Sequence, residues 1–185
     1  MKQVLAVLAV MLLALPAAAQ HQNNHFYVGA GLSSPTGSAG DGWNMGFHLQ
    51  GGYGIPVSPQ VEIVPAIGYH TFGFDDQGTS ASGGGLSVLM LGADAKVAFS
   101  QTHQKTSPFF LGGLGIGSAH ISDLTIPGAG TVPGDSETKL YFNIGAGLDI
   151  QSSPTMAIVV EARYINVATS GSSISFLPIT VGLRF

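Results

Sequence analysis

Cysteine is absent from this 185-residue chain. Charge is scarce as well, with six Lys or Arg and ten Asp or Glu making up 9% of the residues, where an average soluble domain carries roughly a quarter. Without cysteine there is no disulfide, no thiolate nucleophile and no thiolate metal site. A formal net charge of -4 leaves no basic face to neutralise phosphates, which argues against nucleic acid as a partner. Long apolar runs are missing too. Val4 to Leu15 is uninterrupted, yet it falls short of the ~20 residues a helix needs to cross a hydrocarbon core. Glycine, by contrast, is abundant, with 27 residues in a chain that is 45% hydrophobic.

The first residues read as an export signal. Lys2 supplies a positive start, the apolar stretch follows, and Pro16 precedes Ala17, Ala18 and Ala19, the small-residue pattern a signal peptidase accepts. The expected division is a signal peptide at 1–19 and one domain at 20–185. The exported chain then holds five basic and ten acidic side chains.

Beyond Asn24 no sustained 3.6-residue period appears, and every second side chain is apolar over segments of about ten residues. In Lys139 to Ile150 the apolar set Leu140, Phe142, Ile144, Ala146, Leu148 and Ile150 alternates with Lys139, Tyr141, Asn143, Gly145, Gly147 and Asp149. Eight such segments are expected: Phe26 to Leu32, Trp43 to Tyr53, Val61 to Phe74, Leu86 to Phe99, Phe109 to Ile121, Lys139 to Ile150, Met156 to Ile165 and Ile174 to Phe185. Short turns follow the second, fourth and sixth, and longer Gly/Ser/Pro/Asp-rich stretches follow the others. This predicts an all-β fold, an eight-stranded antiparallel up-and-down transmembrane β-barrel with short periplasmic turns and longer extracellular loops.

The charges decide which face is outside. On the same parity Glu62, Asp94, Lys96, Lys139, Asp149, Glu161, Arg163 and Arg184 all lie opposite the apolar row. The apolar face carries Trp43, Phe47, Tyr53, Tyr69, Phe99, Phe142, Tyr164 and Phe185, too much bulk for an eight-stranded interior. The glycine-rich face with its four acids and four bases fits a narrow lumen, where charges must pair. Glu62 is expected opposite Lys96, and Arg184 beside Asp149 or Glu161. The outward aromatics form two expected girdles, with Phe26, Tyr53, Phe99 and Phe185 at the short-turn rim and Trp43, Tyr69 and Tyr164 at the other. The segment from Phe109 to Ile121 does not declare its face. Asp41, Asp75, Asp76, Asp123, Asp135 and Glu137 fall in long loops, and Lys105 in a short turn.

The ending Val181-Gly182-Leu183-Arg184-Phe185, with apolar side chains at alternate positions before a terminal Phe, resembles the last strand of outer-membrane β-barrel proteins. The whole exported chain is similar to the small eight-stranded family that holds the OmpA membrane domain, OmpX and the opacity-type adhesins. Softer echoes are Pro108 to Gly115 and Glu161-Ala162-Arg163-Tyr164. The resemblance implies outer-membrane location, contact with outer-membrane lipid and lipopolysaccharide, and recognition of the strand ending in Phe185, with Leu183 and Val181 before it, by the barrel-assembly machinery. It does not imply one activity, because members include adhesins, anchors and enzymes.

No residue set is assigned to catalysis, a cofactor or a metal. His48 and His70 face the expected lumen on neighbouring strands, and are read as part of a filled hydrogen-bond network, with a metal pair as the alternative. His21 and His25 fall in the segment before the first strand, His103 in a turn, and His120 at the end of the undeclared segment. Tyr164-Ile165-Asn166-Val167 lacks the His and Ser of the lipid A deacylase motif. The functional expectation is surface interaction, adhesion or envelope integrity through acidic loops. A narrow pore for small or apolar solutes is the alternative, with a lipid A-modifying enzyme ranked below it.

Overall fold

The computed structural model describes residues 24–75, 81–99, 105–168 and 173–185. The leader read at 1–19, and with it His21, Asp76 and His103, lie outside the described residues. The described residues form eleven strands: β1 (His25–Thr36), β2 (Gly46–Pro56), β3 (Val61–Phe72), β4 (Ser82–Gly83), β5 (Leu86–Ala98), β6 (Thr106–Ile121), β7 (Leu124–Ile126), β8 (Gly130–Val132), β9 (Asp135–Ser153), β10 (Met156–Ala168) and β11 (Ser173–Arg184). Eight of them close an antiparallel barrel in the order β1-β11-β10-β9-β6-β5-β3-β2, and β4, β7 and β8 form a small separate sheet. Closure is completed where Phe26 and Phe185 exchange backbone hydrogen bonds of 2.7 and 2.9 Å. A closed sheet satisfies every edge, as a lipid-facing backbone requires. Among the described residues no helix is long and apolar enough to cross a membrane.

Period-two alternation decides the faces. Phe47, Leu114 and Leu140 are 66–67% exposed, and Leu49, Ile144, Ile179 and Val181 project from the same outer surface. A soluble chain rarely leaves a continuous apolar patch beyond a few hundred Å², so this band is built for hydrocarbon. The charged and glycine parity points inward. Glycine is required where the lumen is tightest: a Cβ at Gly113 would overlap an Asp94 carboxylate oxygen, and one at Gly92 the Tyr141 hydroxyl.

β6 now has a face, with Phe109, Leu111 and Ala119 inward and Phe110, Leu114 and Ile116 outward. Four expectations change. Trp43 precedes β2 in a bridge to Phe74 and packs against the buried core instead of joining an outer girdle, because the chain enters the strand only at Gly46. Asp135 and Glu137 belong to β9, which pairs with β6 as far as Ile121↔Asp135. The two strands thus run beyond the apolar band as one projecting hairpin. Only 169–172 separate β10 from β11, so that connection is short. His25 opens β1 and pairs with β2.

Two ladders are interrupted without a change of register. Pairing of β10 with β11 passes from Ala162↔Ile179 to Ile165↔Phe176, and that of β2 with β3 from Gly52↔Ala66 to Ile55↔Ile63. A proline stands in each gap, Pro178 and Pro65. Phe185 bonds to β1, so the even positions of β11 face β10, and there Pro178 has no N–H to give.

Candidate functional site

The lumen has two storeys. At the long-loop end Phe72, Leu86, Val88, Met90, Tyr141, Ile165, Val167, Ile174 and Phe176 form one buried apolar cluster with Ala39 and Ala119. The rings of Phe176 and Phe72 meet edge to face at 5.3 Å. These residues are inward members of six barrel strands at the same height, with the 3-10 turn Gly37–Ala39 folded in from above. Close packing of this kind excludes water from the cluster itself.

Beneath the plug lies a histidine pair. His48 and His70 are Cα partners on β2 and β3, stacked at 4.9 Å. Ser33 Oγ lies 3.0 Å from His48 Nδ1 and 2.9 Å from His70 Nδ1, and His48 Nε2 is 2.9 Å from Thr180 Oγ1. One hydroxyl has one proton. With both rings neutral, one imidazole therefore accepts from Ser33 while the other donates to it, which ties the two tautomers together.

The short-turn storey is charged. Arg163 bridges two carboxylates, with Nη1 2.6 Å from Asp94 and Nε 2.9 Å from Glu161. Glu161 also accepts from the Gln50 amide and from Tyr27 Oη, and Asp94 accepts from Asn143 at 2.8 Å. Lys96 donates to Asp149 at 2.7 Å and sits 4.2 Å from the centre of the Phe109 ring. Arg184 reaches Asp149 at 3.2 Å and Glu62 at 3.8 Å, and His25 lies 3.3 Å from Glu62. Four carboxylates thus meet three permanent cations and His25. Burial on this scale is tolerated only when nearly every charge has a partner.

Seven of the eight charges read from the sequence meet here, and Lys139 stands apart on Glu137 at 3.0 Å. Glu62 and Lys96 are Cα partners, yet the Lys96 ammonium goes to Asp149. The interior is so narrow that a long side chain spans toward β9 more readily than it folds back on a neighbour. Arg184 does meet Asp149, whereas Glu161 is held by Arg163. Tyr27, Ser33 and Gln50, which tie the network together, carry no charge to mark them in the sequence. Their inward parity was the available signal, and the tyrosine obscured it by being aromatic.

Among the described residues no three His, Asp or Glu side chains converge on a metal-holding arrangement. Val181, Leu183 and Phe185 are 58%, 41% and 55% exposed on the outer wall of the last strand.

No curated protein matches the sequence. Among solved structures, Neisserial surface protein A superposes with a TM-score of 0.63 at 14% identity, over 87% of this chain and 95% of that one. The attachment invasion locus protein Ail of Yersinia pestis gives 0.52 at 18%, covering 88% and 97%. The N-terminal barrel domain of Pseudomonas aeruginosa OprF gives 0.53 at 18%, covering 90% and 100%. At these identities the likeness is one of fold. The residue pattern of the family described as "Outer membrane protein beta-barrel domain" matches residues 5–185, nearly the whole length. Closed eight-stranded topology, lipid-facing band and family pattern agree: the chain belongs to the outer-membrane β-barrel proteins.

Proposed function

We propose that this barrel works at its long-loop end, in surface interaction or envelope integrity, as an anchored recognition element that neither conducts nor catalyses. One observation carries the reading: the apolar plug fills the lumen at that end, with Val88 and Phe176 at 0% exposure, so solutes have no route and chemistry has no access from outside. What remains available is the outer rim, where Asp41 and Asp123 are exposed.

The partner best matched is lipopolysaccharide, held through divalent cations. On the projecting hairpin the outward stripe is His120 against Ser136 at 2.7 Å and Thr138 against Ser118 at 3.1 Å, polar but without a cation of its own to meet phosphate. Carboxylates and phosphates are joined by hard divalent ions. The reading includes export by the leader at 1–19 and insertion through recognition of Phe185.

The test is reconstitution into lipopolysaccharide vesicles and, separately, phosphatidylcholine vesicles. Magnesium should raise the temperature at which the folded form is lost on gel migration in the first and leave it unchanged in the second. Asp41→Asn with Asp123→Asn should remove most of the gain. Discrete single-channel steps from the same preparation, or a magnesium response indifferent to lipid, would sink the reading.

A further inference from the structure

The plug has an upper surface, and it is concave. Trp43, Ile121, Ile174 and Ala39 form the walls and floor of a cavity of about 340 Å³, and the carboxylates of Asp135 and Glu137 stand on one side of it. We propose that this cavity is a binding site for a small organic cation with a compact apolar body, an aryl- or alkylammonium. The site is distinct from the rim carboxylates assigned to lipopolysaccharide, and it stands whether or not that assignment holds.

Three features point to this ligand class. First, the volume lies in the range of small-molecule sites, ~300–1,000 Å³, and the floor is the fully packed core, so an apolar body exchanges water for a rigid dry surface. Second, the indole is fixed in advance. Trp43 Nε1 donates to the Gly84 carbonyl at 3.0 Å, its backbone bridges Phe74, and its amide donates to Ala39 at 3.1 Å. The indole edge is thus engaged, and the ring remains only half-buried. A fixed indole beside a cavity is the preferred partner of a cation without hydrogen-bond donors.

Third, the charge is predominantly negative. Asp135 and Glu137 are alternate residues of β9, opposite Ile121 and Ala119 of β6, so both face inward over the floor. Within the described residues of this end, Asp41, Asp75, Asp123, Asp135 and Glu137 are set against one basic side chain, Lys139, which pairs with Glu137. Carboxylates alone would describe a solvated rim. With an apolar floor and a clamped indole they select a cation over a neutral molecule of the same shape.

Trp43 is the only tryptophan of the chain, so its emission reports the site directly. Folded protein in a nonionic detergent is titrated with benzyltrimethylammonium, with its neutral carbon isostere neopentylbenzene, and with benzylsulfonate. The cation should shift Trp43 emission saturably, and the neutral and anionic probes should bind at least about tenfold more weakly. Asp135→Asn should weaken the cation about threefold, and Asp135→Asn with Glu137→Gln about tenfold, because the second carboxylate beside the cavity is then neutralised as well. Raising the salt should weaken the cation alone. Heat-modifiable migration shows that each variant is folded, and exposed Asp135 carries the test if the double variant is not. No saturable change, an equal response to the neutral isostere, or an affinity untouched in Asp135→Asn would overturn the proposal.

Discussion

The two storeys of the lumen solve one problem by opposite means. Above, Phe72, Phe176, Val88 and their neighbours close the barrel by dispersion and the exclusion of water. Below, Arg163, Lys96 and Arg184 close it by pairing with Asp94, Glu161, Asp149 and Glu62. An apolar interior tolerates exchange of shapes at constant volume. A buried charge set does not tolerate loss of one member, because the remaining charges lie in a medium that cannot solvate them. The upper storey should therefore be forgiving of substitutions that the lower storey rejects.

The sharpest break is at Arg163. Arg163→Met strands Asp94 and Glu161, and should cost about 5 kcal/mol of folded stability, read by urea titration of the folded band. Neutralising them together in Arg163→Met/Asp94→Asn/Glu161→Gln should restore most of that loss. A triple variant no more stable than the single would show that Arg163 contributes shape instead of charge balance.

The matching change above is Phe176→Ala, which removes a ring packed on both Phe72 and His70 and should cost about 3–4 kcal/mol through the cavity it leaves. Phe176→Leu should cost about 1 kcal/mol in the same titration. If Leu is as damaging as Ala, the plug depends on the ring stack itself, and the contrast between storeys narrows.

The smallest effect is expected in the wall. Pro178→Val keeps lumen volume and returns the N–H missing from the β10–β11 ladder, so it should stabilise the barrel by about 1 kcal/mol. Hydrogen exchange of the β10 and β11 amides beside the gap should slow with it. Unchanged or faster exchange would mean that the gap is maintained by the Arg163 network and not by the proline.

Much of the molecule was legible because the side-chain period of a strand is two and its phase can be read at sight. The alternation of Leu140 through Ile150 located β9 and its faces, and the same parity carried Glu62, Asp94, Lys96, Asp149, Glu161, Arg163 and Arg184 to the lumen. β6 did not declare itself, since Gly112, Gly113, Gly115 and Gly117 stand on both parities and carry no hydropathy. Trp43 escapes the pattern for a related reason. Parity says nothing about where a strand begins, and three residues before Gly46 the chain is already turning over the plug.

Sequence alone determined the number of barrel strands, the inversion of apolar and polar faces and the lipid-facing band, because each depends only on local alternation and on the bulk an eight-stranded interior can hold. Tertiary structure alone decided which charge meets which, that Lys96 crosses to Asp149 while its neighbour Glu62 turns to His25 and Arg184, and that one serine serves two histidines. It also stacked the inward apolar residues of six strands into a plug with a pocket on top. Those outcomes depend on barrel stagger and on side-chain reach across a closed lumen, quantities set only when distant strands come together.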